Sequence, residues 1–380
     1  MAAAWSVPAP PPRSTSLCQA GRRVIGEVGK DVVTMSEDHA RDPISHLAGD
    51  RRWFVQAVAW LGVGLCVGAT ARTSGPKGPW QAPLGQEHPL VGRIWDVAAA
   101  RFIDAEMLLS KLATGRFVLL GEKHDNPDHH RLQARILGLL IDAGRRPAVG
   151  FEMFTVDDAP AIARYVAAHP EDATGLGEAV DWPRRGWPDW ALYQPIADIA
   201  LREGLPIIAT NLSPSLARDI AGQGMEALAP DQVRRLGLDR PLAPDLRAKM
   251  AEEVRQAHCG YASDAKVEAM VDVQRARDAQ MAERLATAGQ PDGAVLIAGA
   301  GHVRHDYGVP VHLRDRVSGA VVTTVAFLEV NLHTTEATDY AGRFHRPTLP
   351  FDYVWFTPCV DDDDPCEKFE EQLRKLRKGS

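Results

Sequence analysis

Val118-Leu119-Leu120-Gly121-Glu122-Lys123-His124-Asp125-Asn126 decides how the chain is read. A short apolar run that ends at glycine reads as a buried strand entering a tight loop. Asn126 or Asp128 then caps a helix reaching about Ala143, with Leu132, Ile136, Leu139 and Leu140 on its inner face. In parallel sheets, ligands bind in the loops that leave the carboxyl ends of strands. This loop puts Glu122, His124 and Asp125 there, with His129 and His130 one turn into the helix. The same layout returns late in the chain, as Ala294-Val295-Leu296-Ile297-Ala298-Gly299-Ala300-Gly301-His302. Two such histidines meet in one pocket if their strands are neighbours.

Further apolar runs lie at Pro147–Phe151, Leu205–Ala209, Ala320–Val330 and Tyr353–Phe356, with helix-patterned segments between them. The expected fold is α/β: a mostly parallel central sheet with helices on both faces. Pro244–Ala288, read as two helices broken near His258-Cys259-Gly260-Tyr261, forms a helical lid-like insertion. Four strands end in polar groups: Glu122 with His124, Glu152, Asn211, and His302. Packing alone does not need them, so a shared pocket is expected.

The helix from Asp264 carries an apolar stripe of Val267, Met270, Val271, Met281 and Leu285. Gln274 and Asp278 interrupt it, with Arg277 beside them. Polar groups on an apolar face need partners, so they either satisfy loop backbone or line the pocket. His302 and His305 stand three apart. Trp182, Trp187, Trp190 and Tyr193 form an aromatic segment, read as a self-packed lid or as an apolar wall for a flat ligand. The Tyr193 phenol is the group that can reach into a site.

Net charge −7, a pI near 6.0 and the lack of a basic stripe argue against nucleic acid as a partner. Residues 1–50 read as disordered, or as upstream of a true start at Met35. Residues 51–71 have the layout of a signal peptide: Arg51-Arg52, an apolar core, then Ala69-Thr70-Ala71. The rival reading is an uncleaved membrane anchor. Residues 72–90 are expected to be a linker and 359–380 a charged tail. Cleavage would leave Cys259, Cys359 and Cys366, enough for one intrachain disulfide of undetermined pairing.

Residues 119–130, Phe151-Glu152-Met153-Phe154, Trp190-Ala191-Leu192-Tyr193, Ala257-His258-Cys259, Gln274 with Arg277-Asp278-Ala279, Gly299 to His305, and Asp352 to Pro358 together resemble the ChaN haem-binding family of the Tiki/TraB-like group. The resemblance implies a haem-binding α/β domain over residues 91–358. It implies an exported bacterial protein, periplasmic or membrane-associated, that serves iron or haem uptake. Tyrosine ligation of haem iron, paired haems in a homodimer and an outer-membrane haem-transport partner are implied with it. Tyr193 follows the matching Trp-x-x-Tyr pattern and is the first choice of ligand; Tyr261 and Tyr307 are the alternatives.

Two functions follow as expectations. In the first, haem iron is held by Tyr193, among His124, His129, Glu152, Asn211, Gln274, Arg277, His302 and His305, with propionates on Arg or Lys. In the second, the chain is a hydrolase: His124 and His302, with Glu122 or Glu152, bind a divalent metal, or a histidine acts alone as general base. The wider group contains hydrolases with Gly-x-x-His loops, and both Gly121–His124 and Gly299–His302 fit that pattern.

Overall fold

A computed structural model describes residues 78–288, 291–368, 370, 371 and 374. The expectations for residues 1–50 and 51–71, and the first part of the linker, lie outside them.

Among the described residues the strands are β1 (Ile94–Asp96), β2 (Arg101–Ile103), β3 (Phe117–Glu122), β4 (Ala148–Thr155), β5 (Ile207–Asn211), β6 (Ala294–Gly299), β7 (Val322–Glu329) and β8 (Tyr353–Thr357). They form one sheet in the order β2-β1-β8-β7-β3-β6-β4-β5. The pairings from β8 to β5 are parallel, and β1 joins β2 and β8 antiparallel. The short edge strand β2 carries no alternating apolar pattern, which is why its sequence does not announce it.

Between β2 and β3 lies α1 (Ala105–Thr114), and after β3 comes α2 (Pro127–Asp142). Next are α3 (Ala159–Ala168), α4 (Leu176–Ala179) and α5 (Trp190–Arg202). The insertion between β5 and β6 holds α6 (Pro214–Gln223), α7 (Pro230–Leu236), α8 (Pro244–Ala257) and α9 (Asp264–Ala288). The last helices are α10 (Val309–Arg316) and α11 (Pro365–Lys368).

Strand side chains alternate between two cores. Val118, Leu120, Phe151 and Ile297 face one core with Leu132, Ile136 and Leu140 of α2 and Tyr193 and Ile196 of α5. Phe117, Leu119, Leu296 and Ala298 face the other with Met281 and Leu285 of α9 and Leu313 of α10. Both faces are therefore covered by helices, as the continuous apolar strands require.

Asn126 is the cap of α2: its side-chain oxygen accepts the Asp128 N–H at 2.9 Å. Asp128 has another task. Its buried carboxylate accepts the N–H groups of Gln81 and Ala82 and pairs with Arg131 at 2.9 Å. This corrects the linker expectation for residues 78–90. Leu84 bridges to Cys359 and Leu90 is buried in a core, so that stretch belongs to the folded domain. A Gly/Pro-rich composition concealed it, because its anchor is a side chain elsewhere.

The tail is also tied down. Cys259, at the turn after α8, is bonded to Cys366 in α11. Lys368 pairs with Asp361 and Asp363, which draws the acidic run toward the helix that follows it.

Candidate functional site at the strand ends

β3 and β6 are neighbours, paired from Phe117–Ala294 to Glu122–Gly299. The two quoted loops therefore leave the sheet side by side. Gly121 allows the contact: a Cβ there would lie 2.4 Å from Val303 in the turn after β6. Gly299 leaves room for the His124 ring, since a Cβ on it would lie 3.0 Å from Nε2.

The polar groups then interlock. Glu122 accepts from His124 Nδ1 at 2.8 Å and from the Tyr193 hydroxyl at 3.0 Å. Its other oxygen faces His130 Nδ1 at 3.1 Å, while His130 Nε2 bonds the His124 carbonyl. Glu152, at the end of β4, accepts the Gly299 N–H at 2.7 Å. The same carboxylate lies 3.1 Å from His302 Nε2 and 3.9 Å from His124 Nε2. Asp278 of α9 meets His302 Nδ1 at 2.6 Å, with the Gln274 amide 3.0 Å from the same nitrogen.

Charge follows from this geometry. Burial pushes the Glu122 pKa up, but His130 and His124 outweigh it and hold the carboxylate well below its usual range. Glu152 is likewise opposed by burial yet pulled down to about 2, chiefly by His302. Burial would lower His302, but Glu152 and Asp278 raise it to about 10, so the ring is an imidazolium at neutral pH. Burial raises Asp278 to about 6 against the pull of that ring. His124 is raised, because Glu122 and Glu152 outweigh its burial. Arg277 is half-buried and its pKa is lowered by desolvation, with Glu152 and Asp278 as its nearest opposing charges.

Glu122, His124, Glu152, Tyr193, Gln274 and His302 thus share one network, with Arg277 beside it. Three other candidates are placed differently. The Asn211 amide donates to the Glu152 carbonyl and its oxygen accepts the Leu212 N–H, so it fixes the end of β4. His129 is fully buried: Nδ1 accepts the Lys123 N–H and Nε2 donates to Thr357, while burial holds the ring neutral. His305 uses Nε2 on Thr324 and Asp352. Sequence spacing could not separate them, because adjacent histidines on one helical turn point to different neighbours.

The Tyr193 side chain is 0% exposed, and burial together with Glu122 raises the phenol well above its ordinary pKa. Its hydroxyl is a hydrogen-bond donor to Glu122. Tyr307 is buried too and donates to Glu253. Tyr261 is half-buried, its phenol facing Glu370. His130 and Asp278 are the members of the network with the least sequence signal. His130 is one of two adjacent histidines, and Asp278 is one of five acidic residues on α9, marked only by its place on the apolar stripe.

The aromatic segment splits along its two readings. Trp182 and Trp190 are buried with ring centroids 4.9 Å apart, a self-packed lid. Trp187 is half-buried and sets its edge on His124 at 4.9 Å, a wall of the site. Among the described residues, no group of three or more His, Cys, Asp or Glu side chains is placed to hold a metal ion. The imidazoles and carboxylates of the network face one another.

Fold and site define an α/β protein of the doubly covered, mostly parallel kind, with a carboxylate–imidazole network at its strand ends. The family model described as "Haem-binding uptake, Tiki superfamily, ChaN" matches residues 108–313, more than half the chain. The chain belongs to that family. No curated protein matches it. Among solved structures, it is similar to that titled "Cofacial heme binding to ChaN of Campylobacter jejuni", at 20% identity and TM-score 0.53. The match covers 69% of this chain and 95% of that one. An erythromycin esterase mutant, EreC in its open conformation, matches at 16% identity and TM-score 0.35, covering 59% of this chain and 72% of that one.

Proposed function

We propose that the chain binds haem and serves haem or iron uptake, with Tyr261 as the residue that meets the iron. Family membership supports the ligand. The observation that singles out the residue is the burial of its two rivals. A phenol that ligates ferric iron must give up its proton. Tyr193 and Tyr307 are sealed against carboxylates, and burial raises the pKa of both. Tyr261 keeps part of its side chain at the surface, in the turn between α8 and α9.

At the strand ends the charged groups pair among themselves, Glu122 with His124 and His130, and Glu152 and Asp278 with His302. At the turn, Tyr261 supplies an oxygen, and the next residue, Ala262, belongs to a cluster with partly buried Leu246 and Val254 that supplies apolar surface. Bound there, haem would supply a ferric centre suited to exchange of the group between carriers. Export, a homodimer with paired haems and an outer-membrane transport partner belong to the same proposal. They rest on the family and on Arg51-Arg52 with Ala69-Thr70-Ala71. Among the described residues no helix is long and apolar enough to cross a membrane.

Titration of the full chain with ferric haem tests the reading. A tyrosinate spectrum is expected, kept in Tyr193→Phe and lost in Tyr261→Phe. No binding by the unmodified chain, or an unchanged spectrum in Tyr261→Phe, overturns it.

A further inference from the structure

A cationic cluster lies where α9 is flanked by α7 and α10. Leu236 of α7 shares a core with Ala276 and Ala279 of α9, and Leu313 of α10 shares one with Met281 and Leu285 of α9. These apolar seams bring basic residues of the three helices together. Arg275 of α9 is 7% exposed. Its Nη2 donates to the Leu238 and Arg240 carbonyls after α7, while among the described residues its sealed Nε has no partner. Arg316, the last residue of α10, lies against the left-handed Gly237 that ends α7, where an added Cβ would stand 3.8 Å from Nη2. Nε and Nη2 of Arg316 are both sealed, and among the described residues neither has a hydrogen-bond partner. His312 stands one turn before Arg316, and the charges of Arg275 and Arg316 both act on it.

Which donors of Arg316 go unanswered is informative. Nε–H and Nη2–H form one edge of the guanidinium, two parallel donors spaced to grip a carboxylate or a phosphate. Burying that edge unpaired is costly, and desolvation lowers the pKa of both Arg316 and Arg275. The acid that acts most on Arg316 is Glu283 of α9, and it is already shared. It lies 3.2 Å from Arg235 Nη1 and accepts from the Gln280 amide at 3.0 Å. Asp239 and Asp315 are exposed, and Asp272 is bound to Arg247 at 2.8 Å. Burial, Arg275 and Arg316 lower His312 to about 4, so it is a neutral ring at pH 7. Arg235, Arg275 and Arg316 set against Glu283 therefore leave the cluster with two positive charges. A carboxylate fits the edge but brings one negative charge. A phosphate monoester fits it and brings close to two at neutral pH.

We propose that this junction is an oxyanion site for a phosphate monoester, gripped by the Nε–Nη2 edge of Arg316, with Arg275 and His312 donating beside it. Arg235 stays on Glu283 and adds to the field. The site uses neither Tyr261 nor the strand-end network, and it does not depend on haem. A soluble ester and a lipid headgroup present the same oxygens to it.

The test is calorimetry on the full chain in chloride buffer, with inorganic phosphate and phenyl phosphate as probes and acetate as the singly charged comparison. Both phosphates should bind, and more tightly than acetate. Arg316→Ala should weaken phosphate about ten-fold or more, through loss of a charge-assisted pair of hydrogen bonds. Arg316→Lys keeps the charge and loses the edge, so it should recover only part of that. Arg184→Ala, at an arginine with 84% of its side chain exposed, is the control expected to leave binding unchanged. Melting of the unmodified chain needs no variant to fold: phosphate should raise the melting temperature where chloride of equal ionic strength does not. Vesicles of phosphatidylcholine, with and without phosphatidic acid, separate the two sources. Added sedimentation with phosphatidic acid vesicles, lost in Arg316→Ala, assigns the phosphate to a headgroup, and its absence assigns it to a soluble ester. No binding heat and no rise in melting temperature with either soluble phosphate, acetate bound as tightly as phosphate, or binding indifferent to Arg316 each overturn the proposal.

Discussion

Nδ1 of His302 lies 2.6 Å from Oδ1 of Asp278, which joins the turn after β6 to the middle of α9. On its other side the same ring meets Glu152 of β4 at 3.1 Å. One imidazolium thus pins the inserted helix to two strand ends. The stability of the domain is coupled to its charge.

That coupling has a sign. The folded pKa of His302 lies near 10, above the ordinary 6.5. Its contribution is full below about pH 6.5 and fades as pH rises through 10. Glu152 runs the other way: lowered to about 2, it contributes fully above about pH 4.5 and less as pH falls through 2. Asp278, raised to about 6, costs stability as it ionises between about pH 4 and 6, which offsets part of the gain from Glu152. Melting temperature should therefore decline from pH 7 to pH 10, and His302→Gln should flatten that decline. A melting temperature that rises over this interval would contradict the assignment.

Asp128 should matter far from any chemistry. It is 0% exposed and accepts two backbone N–H groups, those of Gln81 and Ala82. Asp128→Ala strands those two donors and removes the ion pair to Arg131, at a cost of about 2–4 kcal/mol. Hydrogen exchange at Gln81 and Ala82 should speed up before that of the β3 amides. Equal acceleration everywhere would mean the anchor is not local.

Gly121→Ala probes the meeting of the two loops. The added methyl would lie 2.4 Å from Val303 and 3.0 Å from the Ala300 backbone, so the turn after β6 must move. Overpacking of this kind costs about 1–3 kcal/mol. It should also displace His302 relative to His124, seen as shifted imidazole resonances of both rings by NMR. Gly138→Ala meets nothing within 4 Å and should be neutral to stabilising, since it is within α2.

The strands of the site were legible because each is an apolar run stopped by glycine or by a polar residue. Glu122, His124, Glu152 and His302 could be named from that pattern. Their partners could not. Whether β3 neighbours β6 is a matter of strand order, which pattern does not encode, and the pairing is what gives the two histidines a common site. Tyr193 stood out for the right reason, a phenol that reaches the site, yet its role depends on Glu122 being 3.0 Å away. His129 and His130 look alike in sequence. The helix turns one toward Thr357 and the other toward Glu122. Asp128 was read as a possible cap, since its use by Gln81 and Ala82 lies 47 and 46 residues back.

The Cys259–Cys366 bond shows a local cost accepted for a long-range constraint. It closes a span of 107 residues, so the chain-entropy model puts its stabilisation at about 4–5 kcal/mol, with about 2–4 the usual measured yield. Cys259 stands at φ +52°, in the left-handed region, followed by Gly260 at +71°. A side chain there costs about 1 kcal/mol relative to glycine. Two double variants separate the terms. Cys259→Ala with Cys366→Ala should lose the cross-link and keep the strain. Cys259→Gly with Cys366→Ala should lose the cross-link and relieve it. Urea unfolding should find both weaker than the parent, with the glycine version about 1 kcal/mol above the alanine version. Glycine and alanine versions of equal stability would show that the turn does not hold its left-handed geometry once the bond is gone.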